Sequence, residues 1–203
     1  VHDREILSRE ELIKEFDLRR VQKAGAVFNL EKLDWLNSQY IKNTREEELL
    51  KQLRGFAPDA WLKEKDLMAK IIKLEKDRMR KLTDIQELAD FFFELPEYPL
   101  ELLYWPRPKP TEIKTEEDKN KLAANLKILT EEIEKIFKED FTKEKLESAI
   151  MPLTEVWGRG ELLWPLRVSL SGKPASPGPF DIMDILGKEE TLNRLKIAVG
   201  KIQ

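Results

Sequence analysis

Apolar residues recur along this chain at helical spacing. After Asn29 come Leu30, Leu33, Leu36, Tyr40 and Ile41; further on, Leu62, Met68, Ile71, Ile72 and Met79; later, Leu122, Leu126, Leu129, Ile133, Ile136 and Phe137. No segment alternates apolar and polar residues between turn signals, as a half-buried strand would. Start signals agree with the periodicity. Ser8 with Glu11, Thr44 with Glu47, and Thr83 with Gln86 each place a hydroxyl three residues before Glu or Gln, the capping-box pattern. Thr115 and Thr142 open further charged-and-apolar runs without a full box. The pattern predicts an all-α chain of about eight to ten helices.

One stretch interrupts it. Residues 95–111, LPEYPLELLYWPRPKPT, carry prolines toward both ends, which deny helix continuation and favour extended backbone. Leu102, Leu103, Tyr104 and Trp105 are too apolar for a solvated tether, so this linker is expected to pack on a helical bundle. The chain divides on this reading into a lead-in (1–43), a first helical bundle with the Pro-rich linker (44–110) and a second bundle (111–203).

Charge narrows the class. The 203 residues include 36 Lys and Arg against 39 Asp and Glu, a net charge of -3, unlike a dedicated basic nucleic-acid binder. Any RNA-facing surface has to come from local clustering. The absence of cysteine and the presence of one histidine, His2, remove disulfides, structural zinc and Cys–His catalysis. A reducing cytoplasm fits that composition. No apolar run approaches the roughly 20 residues of a membrane span, and no signal peptide opens the chain. Carboxylate pairs such as Glu46 with Glu48 and Glu131 with Glu132 read as solvated helix faces, and no glycine-rich loop cradles a phosphate. The sequence offers no catalytic residue and no metal ligand set.

The basic residues do cluster. Between residues 63 and 81 stand eight basic and four acidic side chains, a local excess of four positive charges, ending in KLEKDRMRKL with Lys73, Arg78 and Arg80. Such a face can hold phosphates, or can be merely solvated. Arg167 follows Pro165-Leu166 in a Gly-punctuated turn of chain, residues 166–172. An arginine there can present a planar, bidentate donor pair to a base edge, or can be a buried residue completing the last bundle. Ser176, Pro177, Gly178 and Pro179 form a loop whose small residues would let a splayed base approach the backbone; the same residues also suit a helix start, with Ser176 or Asp181 capping. The five tryptophans, 35, 61, 105, 157 and 164, are expected mainly in cores, with at most one stacking on RNA. Lys23-Ala24-Gly25-Ala26-Val27 reads as a tight loop of close packing.

Two long motifs carry a family resemblance. One runs Pro165-Leu166-Arg167, Ser171-Gly172, Ser176-Pro177-Gly178-Pro179 and Leu186-Gly187-Lys188; the other runs Phe16-Asp17-Leu18, Arg20-Val21, then Lys23 to Leu33, Trp35-Leu36-Asn37 and Tyr40-Ile41. Together they resemble the closing part of bacterial-type glutamyl-tRNA synthetases. The resemblance implies a short helical stem-contact lead-in followed by two helical anticodon-binding subdomains. It implies that Arg167 reads an anticodon base, that the loop at 176–179 lies against the anticodon, and that Arg78 reads the first anticodon base, with Arg80 as the register alternative. Arg20 and Lys23 would meet the tRNA backbone, as Lys73 and Arg80 would from the basic stretch. Where family members often carry leucine or a similar apolar residue, this chain has Pro179.

The family's two ATP-handling signatures, HIGH-like and KMSKS-like, are missing, and a single histidine cannot supply the first. The chain is thus expected to be the C-terminal, tRNA-reading part of a glutamate–tRNA ligase, with no cofactor of its own. ATP and magnesium would belong to the parent's catalytic domain. The expected partner is tRNA-Glu, bound by a monomer, with neither DNA nor membrane involved. A non-catalytic helical protein-interaction scaffold is the alternative.

Overall fold

The computed structural model describes residues 6–21, 25, 27–105 and 115–202. They form ten α-helices: α1 (Arg9–Glu15), α2 (Leu30–Asn43), α3 (Glu46–Gln52), α4 (Asp59–Lys63), α5 (Lys65–Glu75), α6 (Asp84–Phe93), α7 (Glu116–Lys135), α8 (Lys143–Trp157), α9 (Arg159–Ser171) and α10 (Pro179–Gly200). Short 3-10 turns cover Leu18–Arg20, Lys76–Arg78, Leu100–Leu103 and Lys138–Asp140. No strand occurs among the described residues, only one isolated bridge between Arg54 and Ala57. The all-α class is as the periodicity predicts.

Some helix starts follow the hydroxyl signals and others do not. Ser8 and Glu11 form the expected box. Thr115 forms one too, with Asp118 in the role usually played by Glu or Gln, so the shorter carboxylate had hidden it. Thr142 accepts from the Lys145 N–H. Thr44 instead turns its hydroxyl back to the Tyr40 carbonyl at 2.7 Å, ending α2 rather than starting α3. At Thr83 the local donors are met by Asp84, whose Oδ2 accepts from the N–H groups of Arg80 and Lys81. Gln86 is free to reach the Phe56 carbonyl.

The core is one continuous apolar cluster. Leu122, Leu126, Leu129 and Ile133 of α7 form a stripe at intervals of four, three and four, facing Leu162 and Leu166 of α9 and Ile182 and Leu195 of α10. Met68, Ile71 and Ile72 of α5 join Leu49 of α3, Leu53 at its end, and Ile85 and Phe92 of α6 in that cluster. Each such side chain contributes about 1.5–3 kcal/mol by leaving water. The described part of the Pro-rich stretch joins the same core. Tyr98 and Leu103 are buried, and Trp164 Nε1 of α9 donates to the Leu102 carbonyl at 2.8 Å.

Three devices place the closing helices. Pro165 lies inside α9, where its missing N–H would orphan the Glu161 carbonyl; the buried Asn125 of α7 donates to that oxygen at 3.0 Å, and the helix runs on. Gly172 ends α9 in the left-handed region, φ 66°, with its N–H on the Val168 carbonyl. Gly187, at φ 76°, kinks α10 so that Lys188 Nζ reaches the Glu134 and Ile136 carbonyls at the end of α7. Arg194 of α10 is only 1% exposed. Its Nη1 donates to the Phe91 carbonyl of α6 and the Leu170 carbonyl of α9, while Nε pairs with Glu190 at 2.7 Å.

Candidate nucleic-acid interface

The two arginines singled out in the sequence lie on either side of the Pro-rich stretch in sequence, and the charge of Arg78 reaches Arg167. Arg78 closes the 3-10 turn Lys76–Arg78 that ends α5, and α2 packs on that turn, with Lys42 3.6 Å from Asp77. Arg167 sits in the last turns of α9. The chain at 166–172 is therefore helix rather than the turn expected from its proline and glycine, because Asn125 compensates Pro165 and only Gly172 breaks the helix. Burial first, and then the charge of Arg78, hold the Arg167 guanidinium below its usual pKa, so each cation sits within the field of the other.

Both guanidiniums are held on one side and open on another. Arg167 lies over the Trp164 ring, 4.6 Å from its centre, and Nη2 donates to the Pro174 carbonyl at 2.8 Å. Arg78 Nη1 bonds Glu75 Oε2 at 2.7 Å; the Arg78 side chain keeps 35% of its exposure, whereas that of Glu75 has none. Burial pushes the Glu75 carboxyl up to about 7, with Arg78 and then Lys173 opposing the rise. Both arginines keep guanidinium donors that these partners do not occupy. The pair is a small cationic clamp.

The loop between α9 and α10 flanks this pair. Lys173 fastens it to α6, pairing with Asp90 at 2.5 Å and donating to the Glu87 carbonyl. Pro174, Ala175 and Gly178 are exposed, whereas Pro177 is buried and Ser176 and Pro179 are half-buried. Ser176 Oγ donates to the Pro177 carbonyl at 3.3 Å rather than capping α10. Gly178 is the N-cap, Pro179 the first helical residue, and Asp181 pairs with Lys143 at 2.7 Å.

Within the basic stretch, Lys63, Lys65, Lys70, Lys73, Arg80 and Lys81 are exposed and in no ion pair among the described residues. Lys76 is tied to Glu46 at 2.8 Å, which lowers the Glu46 carboxyl pKa. Lys73 and Lys70 line a groove between α5 and α10 whose far wall carries Asp181 and Asp184, so its charge is mixed. Arg80 is exposed but is not among the charges acting on Arg167. Arg20 is exposed on the 3-10 turn of the lead-in, a different element from the clamp. Lys23 lies outside the described residues.

Sequence reasoning missed Glu75 and Lys173. Glu75 falls on the buried stripe Met68, Ile71, Ile72, so its spacing placed a carboxyl in the core beside Arg78; nothing in the sequence marks Lys173. Of the tryptophans, Trp61 stacks on Phe93 at 4.5 Å, and Trp164 carries Arg167. Trp35, Trp105 and Trp157 are about two-fifths exposed. No group of three or more His, Cys, Asp or Glu among the described residues is placed to hold a metal ion. None of the described helices is long and apolar enough to cross a membrane.

The described residues form an all-helical domain in which two arginines stand beside a short, small-residue loop. The profile of the family described as "Anticodon binding domain" matches residues 45–199, and the chain belongs to that family. Similar proteins include the glutamate–tRNA ligases of Clostridium acetobutylicum, 36% identical over 98% of this chain and 40% of the relative, and of Thermodesulfovibrio yellowstonii, 38% identical over 96% and 41%. Among solved structures, a glutamate tRNA ligase from Elizabethkingia meningosepticum in complex with its amino acid superposes with a TM-score of 0.79 at 34% identity, covering 98% of this chain and 38% of that one. The chain spans about two-fifths of the length of the curated relatives it matches. The likeness to glutamyl-tRNA synthetases read from the motifs is borne out.

Proposed function

We propose that this chain recognises the anticodon of tRNA-Glu and positions that tRNA, as the C-terminal part of a cytoplasmic glutamate–tRNA ligase. The observation that carries the reading is the bracing of Arg78 by Glu75 and of Arg167 by Trp164 and the Pro174 carbonyl, within electrostatic reach of each other and with guanidinium donors left for an acceptor-bearing base edge. Ser176, Pro177, Gly178 and Pro179 border the clamp; Pro174, Ala175 and Gly178 supply its exposed surface, and the buried Pro177 holds the loop's shape. Lys73, Arg80, Arg20 and Lys23 serve the tRNA backbone. The division into lead-in, first bundle and second bundle belongs to the same proposal. Leu12, Phe16, Leu18, Val21, Phe28 and Leu30 of the lead-in are exposed, a surface suited to contact with the rest of a longer ligase. ATP and magnesium serve the activating chemistry of that ligase, and no step of it is assigned to residues of this chain.

The test is binding of the chain to tRNA-Glu and to transcripts altered only in the anticodon, at two salt concentrations. Preference for the Glu anticodon together with a strong loss of affinity at higher salt supports the reading. Binding indifferent to the anticodon refutes it and leaves the protein-interaction scaffold. Glutamate-dependent pyrophosphate exchange by this chain alone would refute the assignment of activation to another part of the ligase.

A further inference from the structure

The buried carboxyl beneath Arg78 belongs to neither the basic face nor the loop, yet it is the group that Arg78 bonds. Glu75 has no exposed side-chain surface, its Oε2 is 2.7 Å from Arg78 Nη1, and its Oε1 has no hydrogen-bond partner among the described residues. Burying a carboxyl in this way costs free energy that an exposed or apolar residue at the same position would not incur. The position lies on an otherwise apolar stripe, after Met68, Ile71 and Ile72. An apolar side chain there would satisfy the core and leave Arg78 free to swing.

Resting on the reading of Arg78 as a base contact, we propose that Glu75 is a positioning residue for anticodon recognition. Its carboxylate orients the Arg78 guanidinium and holds it against repulsion from Arg167, so that the remaining donors meet a base edge in a fixed plane. Repulsion between two cations would otherwise push Arg78 toward solvent, where it could still meet phosphate but could not discriminate bases. The charged groups acting on Glu75 are Arg78 on its own segment and Lys173 from the loop after α9, the latter itself paired to Asp90 of α6; Arg167 of α9 acts through Arg78.

The experiment measures binding of the chain to four tRNA-Glu transcripts, one for each base at the first anticodon position, for wild type, Glu75→Gln, Arg78→Ala and the double variant, with melting temperatures. Glutamine keeps the shape and an acceptor but removes the charge, so the fold is retained. The expected result at about pH 8 is a preference lowered about fivefold or more in Glu75→Gln. Total affinity should change less, melting should be unchanged or higher, and the double variant should be no worse than Arg78→Ala. Wild-type preference should also be weaker at about pH 6 than at about pH 8, and that difference should vanish in Glu75→Gln. Preference lost in Arg78→Ala but kept in Glu75→Gln overturns the positioning role alone. Preference kept in Arg78→Ala overturns the base-contact reading and this proposal with it. Additive effects in the double variant, or equal losses for all four transcripts in Glu75→Gln, show that Glu75 acts by another route and also overturn it.

Discussion

The guanidinium of Arg167 lies 4.6 Å from the centre of the Trp164 ring, three residues earlier on α9, and its Nη2 is fixed to the Pro174 carbonyl. The stacking and the bond select a plane, which a lysine at the same position could not adopt. Arg167→Ala is expected to cost about 1–3 kcal/mol of tRNA binding and to relax preference at one anticodon base. Arg167→Lys should recover part of the affinity but not the preference. Titrations against anticodon variants, with melting temperatures alongside, separate this outcome from a packing defect, in which loss of binding would follow loss of stability.

Lys73 should behave differently. It is exposed on α5, in no ion pair among the described residues, and has no planar donor set. Lys73→Ala is expected to weaken all tRNAs alike and to reduce the slope of log affinity against log salt by about one. A change confined to one anticodon variant would assign it to a base instead.

Glu75 makes stability depend on pH in an unusual direction for a carboxyl. Burial raises it from 4.5 to about 7 in the folded protein, so the folded state holds the proton more tightly than the unfolded one. The stabilisation it contributes is full below its unfolded pKa and is lost as pH rises through the folded one. Comparing wild type with Glu75→Gln by urea unfolding between about pH 4 and about pH 8, the variant should gain on the wild type as pH rises, by on the order of 3 kcal/mol across the range. A difference independent of pH would show that Glu75 keeps an ordinary carboxyl pKa.

Gly172 sets the departure angle of the loop. Its φ of 66° disfavours any side chain, and an added Cβ would stand 2.9 Å from the Pro96 carbonyl oxygen. Gly172→Ala is expected to lower stability by about 1–3 kcal/mol. It should also weaken anticodon preference, because Lys173, which fastens the loop to α6, and Pro174, whose carbonyl accepts from Arg167, follow directly. Thermal melting and tRNA titration read the two effects separately.

How much of this was legible beforehand follows from where the information sits. Helical periodicity is local, so the stripes of α2, α5 and α7 could be read in the sequence, as could the boxed cap at Ser8. The continuation of α9 through Pro165 could not, because Asn125 supplies the missing donor from forty residues away, and proline and glycine alone suggested a turn. Arg78 and Arg167 stood out by residue type and motif. Their proximity did not, since it depends on packing among α5, α6, α9 and α10. Thr44 and Thr83 show the limit of cap patterns, for a hydroxyl serves whichever backbone group comes nearest in space.

Arg194 bears on how the molecule comes apart. Its buried guanidinium touches the carbonyl ends of α6 and α9, one from each side of the Pro-rich stretch, and Glu190 supplies the counter-charge. Opening either side alone would take a carbonyl acceptor from that cation, a cost of about 1.5–3 kcal/mol for a hydrogen bond to a charged group. Partial unfolding is therefore penalised from both directions, and the helices before and after the stretch should melt in one cooperative transition, despite the proline-rich seam between them.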